Sequence, residues 1–385
     1  MPMGLIWAAI ISPLRPVKSA AQTLWLPALA ALGAASFGVS ALVNGTHLSL
    51  GSMGNYLVLG IYVLALSRTA PSAEWMVSFI GLTSFVAVTY LVFSGEGDDR
   101  RADFSELWKF TIATPAALTI LWLVTKLNSR VIAVLAITGL GVISLLLNFR
   151  SLGLTSFIAA IIVLVKGRRG LTKARTAFLA AAIAALALLL PAALASGVFG
   201  AEVQARTLRQ TSAGGSLLLG GRTEPPLSIA AILARPLMGW GSAGNIDAAT
   251  FDRAREIAAA VGMSNPSSYY GYWIRPDGTV SLHSILLGGW AEGGVLAAAM
   301  PVALIVVLIR AVVIAQGRVA PMVVFASVTS IWDLLFSPWS GNRAVVLATV
   351  AALALVAAKE ARPPRTASAG ERLKRIGKTS LSAHV

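Results

Sequence analysis

No cysteine occurs anywhere in the 385 residues. That absence excludes disulfides, thiolate nucleophiles and cysteine-ligated metals. Histidine is almost as scarce: His47, His283 and His384 are the only three, spread along the chain. They form no cluster with metal-ligand spacing, so neither a metal nor another cofactor is expected. Charge is the third shortage. Asp, Glu, Lys and Arg make up 12% of the chain, where soluble domains run near a quarter. Acidic residues are the rarer sign, 16 against 31 basic, for a net charge of +15.

What replaces charge is apolar bulk: 56% of residues are hydrophobic and the mean hydropathy is +0.77. Apolar runs recur, each long enough to cross a hydrocarbon core of roughly 30 Å. Ten spans are predicted, at 22–43, 48–67, 75–94, 107–125, 129–147, 151–165, 175–199, 283–309, 319–339 and 343–358. The expected fold is therefore all-α, a polytopic membrane bundle of ten or eleven spans. Met3 to Ser12 is apolar but short, an interfacial segment or the remnant of an eleventh helix. It lacks a small-residue cleavage site, which argues against a removed signal peptide.

With the C-terminus inside, the inner connections collect Arg15, Lys18, Arg68, Lys126, Arg130, Lys166, Arg168, Arg169, Lys173, Arg175, Arg310 and Arg318. The other side receives the acidic 95–106 connection and one long segment. Short basic loops on one side are the positive-inside pattern, and both termini are expected to be cytoplasmic. The tail, with Arg362, Arg365, Arg372, Lys374, Arg375 and Lys378, then reads as a topology determinant against anionic lipid rather than a nucleic-acid arm.

The composition divides the chain into membrane helices over 1–199, an extracytoplasmic subdomain over 200–282, membrane helices over 283–358 and a basic tail over 359–385. Loops as long as the second segment are commonly functional. Within it, Leu227 to Ala234 predicts a short helix ended by Arg235-Pro236, and Ile246 to Val261 an amphipathic helix lying on the membrane or over the bundle. Tyr269-Tyr270-Gly271-Tyr272-Trp273 holds three of the six tyrosines. Tyr270 and Trp273 fit a headgroup-level aromatic belt, compatible with a platform on which sugar rings stack.

His283, in Ser281-Leu282-His283-Ser284, stands where this segment meets the next span. Imidazole titrates near neutrality without environmental help, so His283 is a candidate general base; the plainer alternative is a helix cap. Glu292, nine residues on, faces nearly the opposite side of a continuous helix. It joins His283 only if the helix breaks near Gly288-Gly289, and otherwise it has a separate structural partner. Asp333 lies within a span, where an isolated charge costs roughly 2.5–3.5 kcal/mol. It is expected to pair with Arg343, with acceptor binding as the other role. Arg206, Arg209, Arg235 and Arg275 are expected to meet lipid headgroups, or else to guide pyrophosphate.

Three features fall in order on the outer face: Arg150 heading a span in Asn148-Phe149-Arg150-Ser151, Arg222 in Gly220-Gly221-Arg222-Thr223, and His283 opening a later span. Between the last two lies Pro236-Leu237-Met238-Gly239-Trp240-Gly241. After His283 come Leu287, four residues on, and Glu292 before Gly293. In this order they resemble the O-antigen ligase and polymerase superfamily of bacterial membrane glycosyltransferases, over about Asn148 to Val295 and again at Phe336 to Arg343. Ser284 replaces a frequent asparagine and Ala297 a glycine.

The resemblance implies a GT-C-like bundle in the bacterial inner membrane with an extracytoplasmic active face. The donor would be a glycan on undecaprenyl pyrophosphate and the acceptor a lipid or another glycan. Arg150 and Arg222 would bind the pyrophosphate, since guanidinium forks match phosphate oxygens. His283 would take the acceptor proton, in a metal-independent, inverting transfer serving surface polysaccharide synthesis. The competing classes are a secondary transporter and a flippase or scaffold for lipid-linked glycan. A transporter predicts ionisable groups near the midplane of two matched repeats; the polar residues here gather at one face.

Overall fold

The computed structural model describes residues 21–93, 104–166, 172–214, 223–263, 270–275, 278–280 and 282–361, without the side chains of residues 21–23, 212–214, 270 and 272. Met3–Ser12, the acidic connection before Phe104, Arg168, Arg169, Arg222 and the basic tail from Arg362 lie outside the described residues. Fourteen helices follow one another among them: α1 (Ala21–Asn44), α2 (Leu50–Thr69), α3 (Ala73–Phe93), α4 (Phe104–Leu127), α5 (Arg130–Leu146), α6 (Arg150–Val165), α7 (Lys173–Ala195), α8 (Ala201–Gly214), α9 (Pro225–Ala234), α10 (Ala248–Ala260), α11 (Tyr270–Trp273), α12 (Ile285–Ile314), α13 (Ala320–Phe336) and α14 (Arg343–Glu360). One antiparallel bridge, Ile274 to Val280, is the only β pairing among the described residues.

The all-α expectation is met, and all ten predicted spans are helical. Among the described residues seven helices are long and apolar enough to cross a membrane: α1, α2, α3, α4, α7, α12 and α13, the last counted with the 3-10 turn that leads into it, Gly317–Phe336. Of the other three, α5 and α6 have 17 and 16 residues, and α14 carries Arg343, Lys359 and Glu360 within its 18. The chain is a polytopic membrane protein.

Helix α12 is central, packed on α1, α13, α14 and α9. Its 30 residues correspond to about 45 Å of rise, more than a hydrocarbon core needs. Small residues let the backbones close: Ala30 and Ala34 on α1, Ala297 on α12, and Ala348, Ala351 and Ala352 on α14 are all buried. Where the hydrophobic effect between helices is weak, such close approach supplies dispersion contact. Helix α7 is the opposite case. Only Leu194 is buried along it, so nearly its whole apolar circumference faces outward.

Residues His283 and Arg150 lie at the same end of the bundle. Lys166, just past the far end of α6, donates to Val312 O, near the far end of α12, which aligns the two helices. The predicted inner turns meet at that far end, where Arg318 pairs with Glu74, Nε to Oε1 being 2.6 Å, and Glu360 accepts from Ala73 N at 2.9 Å.

The 200–282 segment has a hydrophobic core of its own, built from Leu227, Ala231, Trp240, Phe251, Ala254 and Trp273 and closed by Ala291 of α12. Both predicted helices form, as α9 and α10. Asp247 caps α10 by accepting from Thr250 N at 2.8 Å, a bond that holds its carboxyl below the ordinary range. The apolar face of α10 buries Phe251, Ala254 and Ala258 against α9 instead of lying open for a lipid surface. Trp273 is 0% exposed, its Nε1 donating to Thr223 O at 2.7 Å. This corrects the aromatic belt and sugar platform for that residue: it is core. The side chain of Tyr270 lies outside the described structure.

Candidate functional site

A break in α12 fixes how this segment sits on the bundle. Gly294 has φ 76° and ψ −171°, a conformation open essentially to glycine alone. The break therefore falls past Glu292 and not near Gly288-Gly289, where it would have to lie for Glu292 to join His283. Gly289 serves contact instead, since a Cβ there would come within 2.5 Å of Tyr56 Oη.

Breaking a helix frees carbonyls, and inside a bundle each needs a donor. The Pro236–Gly241 turn supplies two: Trp240 N donates to Ala291 O at 2.9 Å and Gly241 N to Glu292 O at 2.8 Å. In return Val295 N donates to Leu237 O at 3.2 Å. From α1, Ser40 Oγ donates to Glu292 O at 2.9 Å and Ser36 Oγ to Gly293 O. One turn further, Pro301 has no N–H to offer Ala297 O, and buried Tyr56 fills the place with Oη at 2.8 Å. The two glycines of the turn are required by geometry. Gly239 and Gly241 both have positive φ, and a Cβ on Gly239 would lie 2.5 Å from Glu292 O.

The carboxylate of Glu292 takes the second of its two sequence readings. It accepts from Ser52 Oγ at 3.0 Å and Ala243 N at 3.1 Å, tying α2 and the 200–282 segment to α12. It is a structural clasp, separate from His283. Asp333 and Arg343 likewise pair as expected, Nε to Oδ2 being 3.7 Å. Ser337 Oγ donates to Asp333 at 2.8 Å, and Arg343 also holds the Pro338 carbonyl. Together they close the turn between α13 and α14.

His283 is not the helix cap. That role belongs to Ser284, whose Oγ accepts from Leu287 N at 3.0 Å and reaches Leu334 O at 3.4 Å. The departure from asparagine thus keeps a capping side chain and docks the start of α12 on the end of α13. His283, one residue earlier, turns its Nδ1 to Glu224 Oε1 at 3.0 Å. The two side chains are 30% and 17% exposed, so the pair is partly screened from water yet reachable. A carboxylate on Nδ1 places the ring proton there and makes Nε2 the basic nitrogen.

Glu224 is the residue that sequence reasoning missed. Its trace was present: an acidic residue in an otherwise basic stretch, two positions after Arg222 and directly before Pro225-Pro226. Pro at the first helical positions starts α9 and fixes the approach of the preceding glutamate.

Arg150 sits half-buried at the head of α6. Its Nη1 donates to Gln210 Oε1 at 2.6 Å and its Nη2 to Val203 O at 2.9 Å; Nε is buried without an acceptor among the described residues. Both acceptors are neutral, so no carboxylate among the described residues cancels its charge. Helices α6 and α12 both pack on α13, so Arg150, at the head of α6, and His283, just ahead of α12, adjoin helices that flank one neighbour. Arg206 is exposed on α8. Arg235 stacks 4.0 Å over Trp240 and holds Asn44 Oδ1, so it anchors the segment to α1. Among the described residues no group of three His, Asp or Glu could hold a metal. Comparison of the chain with protein-family models, curated proteins and solved structures finds no match.

Proposed function

We propose that this protein is a membrane glycosyltransferase of the O-antigen ligase and polymerase type, acting on glycans carried by undecaprenyl pyrophosphate. The observation that carries the reading is the 3.0 Å contact of His283 Nδ1 with Glu224. It is a base held in one tautomer at the end of the bundle where Arg150 keeps an uncompensated charge. His283 Nε2 takes the proton of the acceptor hydroxyl as its oxygen bonds to the anomeric carbon. The bond from that carbon to the pyrophosphate oxygen breaks, and the anomeric centre inverts. Arg150 and, from the resemblance, Arg222 neutralise the charge gathering on the leaving group, commonly the largest catalytic contribution. Glu224 acts through His283 as a positioning residue. The membrane is the bacterial inner membrane, with both termini cytoplasmic and the His283 end extracytoplasmic.

The broken α12 also brings a transporter to mind, because discontinuous helices build ion sites from freed carbonyls. Here the carbonyls of Ala291, Glu292 and Gly293 already have donors, which favours a fixed break over an ion site. Reconstitution with lipid-linked glycan tests the proposal. His283→Ala should lower turnover about 10²–10⁴-fold while donor binding persists; Glu224→Gln should lower it about 10- to 100-fold, the worth of one charge-assisted hydrogen bond. Unchanged product in His283→Ala would leave a flippase or scaffold. In a deletion strain, accumulated single repeat units would mark a polymerase and accumulated long chains a ligase.

A further inference from the structure

The end of the bundle opposite His283 holds a pocket of about 210 Å³. Three separate connections bring a cation to it: Arg130 after the α4–α5 turn, Lys166 at the end of α6, and Arg318 between α12 and α13. Val124, Val163 and Val324 form part of its apolar wall.

Lys166 is the unusual member. It is only 8% exposed, and its one hydrogen bond goes to Val312 O. An ammonium has three donors, so two have no protein acceptor among the described residues. Burial pushes its amine down to about 8, in keeping with a charge held without a counter-ion. Arg130 lies exposed nearby and among the described residues bonds to neutral groups, Nε to Val163 O at 2.7 Å and Nη2 to Leu164 O. Among the described residues Arg318 alone of the three has a carboxylate, Glu74. Three cations therefore share one acid, beside an apolar wall and at helix ends.

We propose that this pocket binds an anionic phosphate group, gripped by Lys166 and the two arginines, with the valine wall against the first methylenes of its lipid. Basic pockets between membrane helices suit phosphate headgroups for this reason, and a phosphate accepts from ammonium and guanidinium donors together. The inference is independent of glycosyl transfer, because it concerns the other end of the bundle.

The test uses the purified full-length protein in detergent. Retention of phosphatidylglycerol is compared with that of phosphatidylcholine, whose choline cancels the phosphate charge, by native mass spectrometry. Two uncompensated cations should give a preference of about 30-fold. Lys166→Gln should reduce it about fivefold, and Lys166→Arg should restore it. Arg318→Gln, at an exposed position, gives a second reading if Lys166→Gln fails to fold, and should weaken the preference less. Sodium phosphate forms the other arm. Competition by phosphate at concentrations equal to the lipid shows that the anion alone suffices, whereas lipid binding without such competition identifies a headgroup with its chain as the ligand. The proposal is overturned if neither phosphatidylglycerol nor phosphate binds the folded protein. It is equally overturned if folded Lys166→Gln, or Arg318→Gln in its place, keeps the full preference.

Discussion

Replacing Gly294 with alanine should release the 200–282 segment from the bundle. Two costs add. The backbone at φ 76°, ψ −171° is strained for any residue with a Cβ, at about 1–3 kcal/mol. The new methyl would also overlap Leu237 O and lie 2.8 Å from the backbone carbon of Met238; both are main-chain atoms, so no rotamer change relieves the clash. If the turn withdraws, three hydrogen bonds go with it: Trp240 to Ala291, Gly241 to Glu292, and Val295 to Leu237. At about 0.5–1.5 kcal/mol each they bring the total to about 2.5–7.5 kcal/mol. Gly288→Ala is the matched control. Its φ is ordinary and its nearest neighbour, on Leu282, stands at 3.4 Å, so alanine there should be nearly silent. Hydrogen exchange at the Trp240 and Gly241 amides reads the result directly, since protection there depends on the docked turn. Wild-type protection in Gly294→Ala, or equal loss in both variants, would refute the assignment of the break as the docking site.

Three further outcomes are expected. Tyr56→Phe should cost about 1–3 kcal/mol, because the proline four residues ahead cannot satisfy Ala297 O; a thermal unfolding midpoint equal to wild type would contradict that. Trp273→Ala should cost about 3–5 kcal/mol and expose the 200–282 segment to limited proteolysis, whereas a headgroup-level tryptophan would leave the cleavage pattern unchanged. Arg150→Ala should lower initial transfer rates in vesicles about 10²–10³-fold, against less than about tenfold for Arg206→Ala; equal mild effects would indicate diffuse electrostatics.

The helices were legible in the sequence because membrane length and hydropathy specify them almost without reference to neighbours. The same holds for α9 and α10, where a proline stop and amphipathic spacing are local features. The Asp333–Arg343 pairing was legible because a charge within a span needs a partner across the nearest turn. Less local facts escaped. The break lies at Gly294 because Leu237 O occupies the space a side chain would fill, a contact between residues nearly sixty positions apart. Ser36 and Ser40 look like ordinary small residues until the carbonyls they satisfy are known. Trp273 could not be told from an interfacial aromatic by composition, since burial depends on what α9 and α10 build around it. Glu224 became significant only when the fold set it beside His283.

Because the amides of one surface turn complete the bonding of a membrane helix, the two cannot be exchanged separately between related proteins. A chimera that imports a foreign 200–282 segment must also import residues 291–295 and the serines at 36 and 40. Otherwise the recipient helix keeps acceptors that the new turn does not reach. Any redesign of this segment is thus constrained from beneath, at Gly294, before its outward-facing residues are reached.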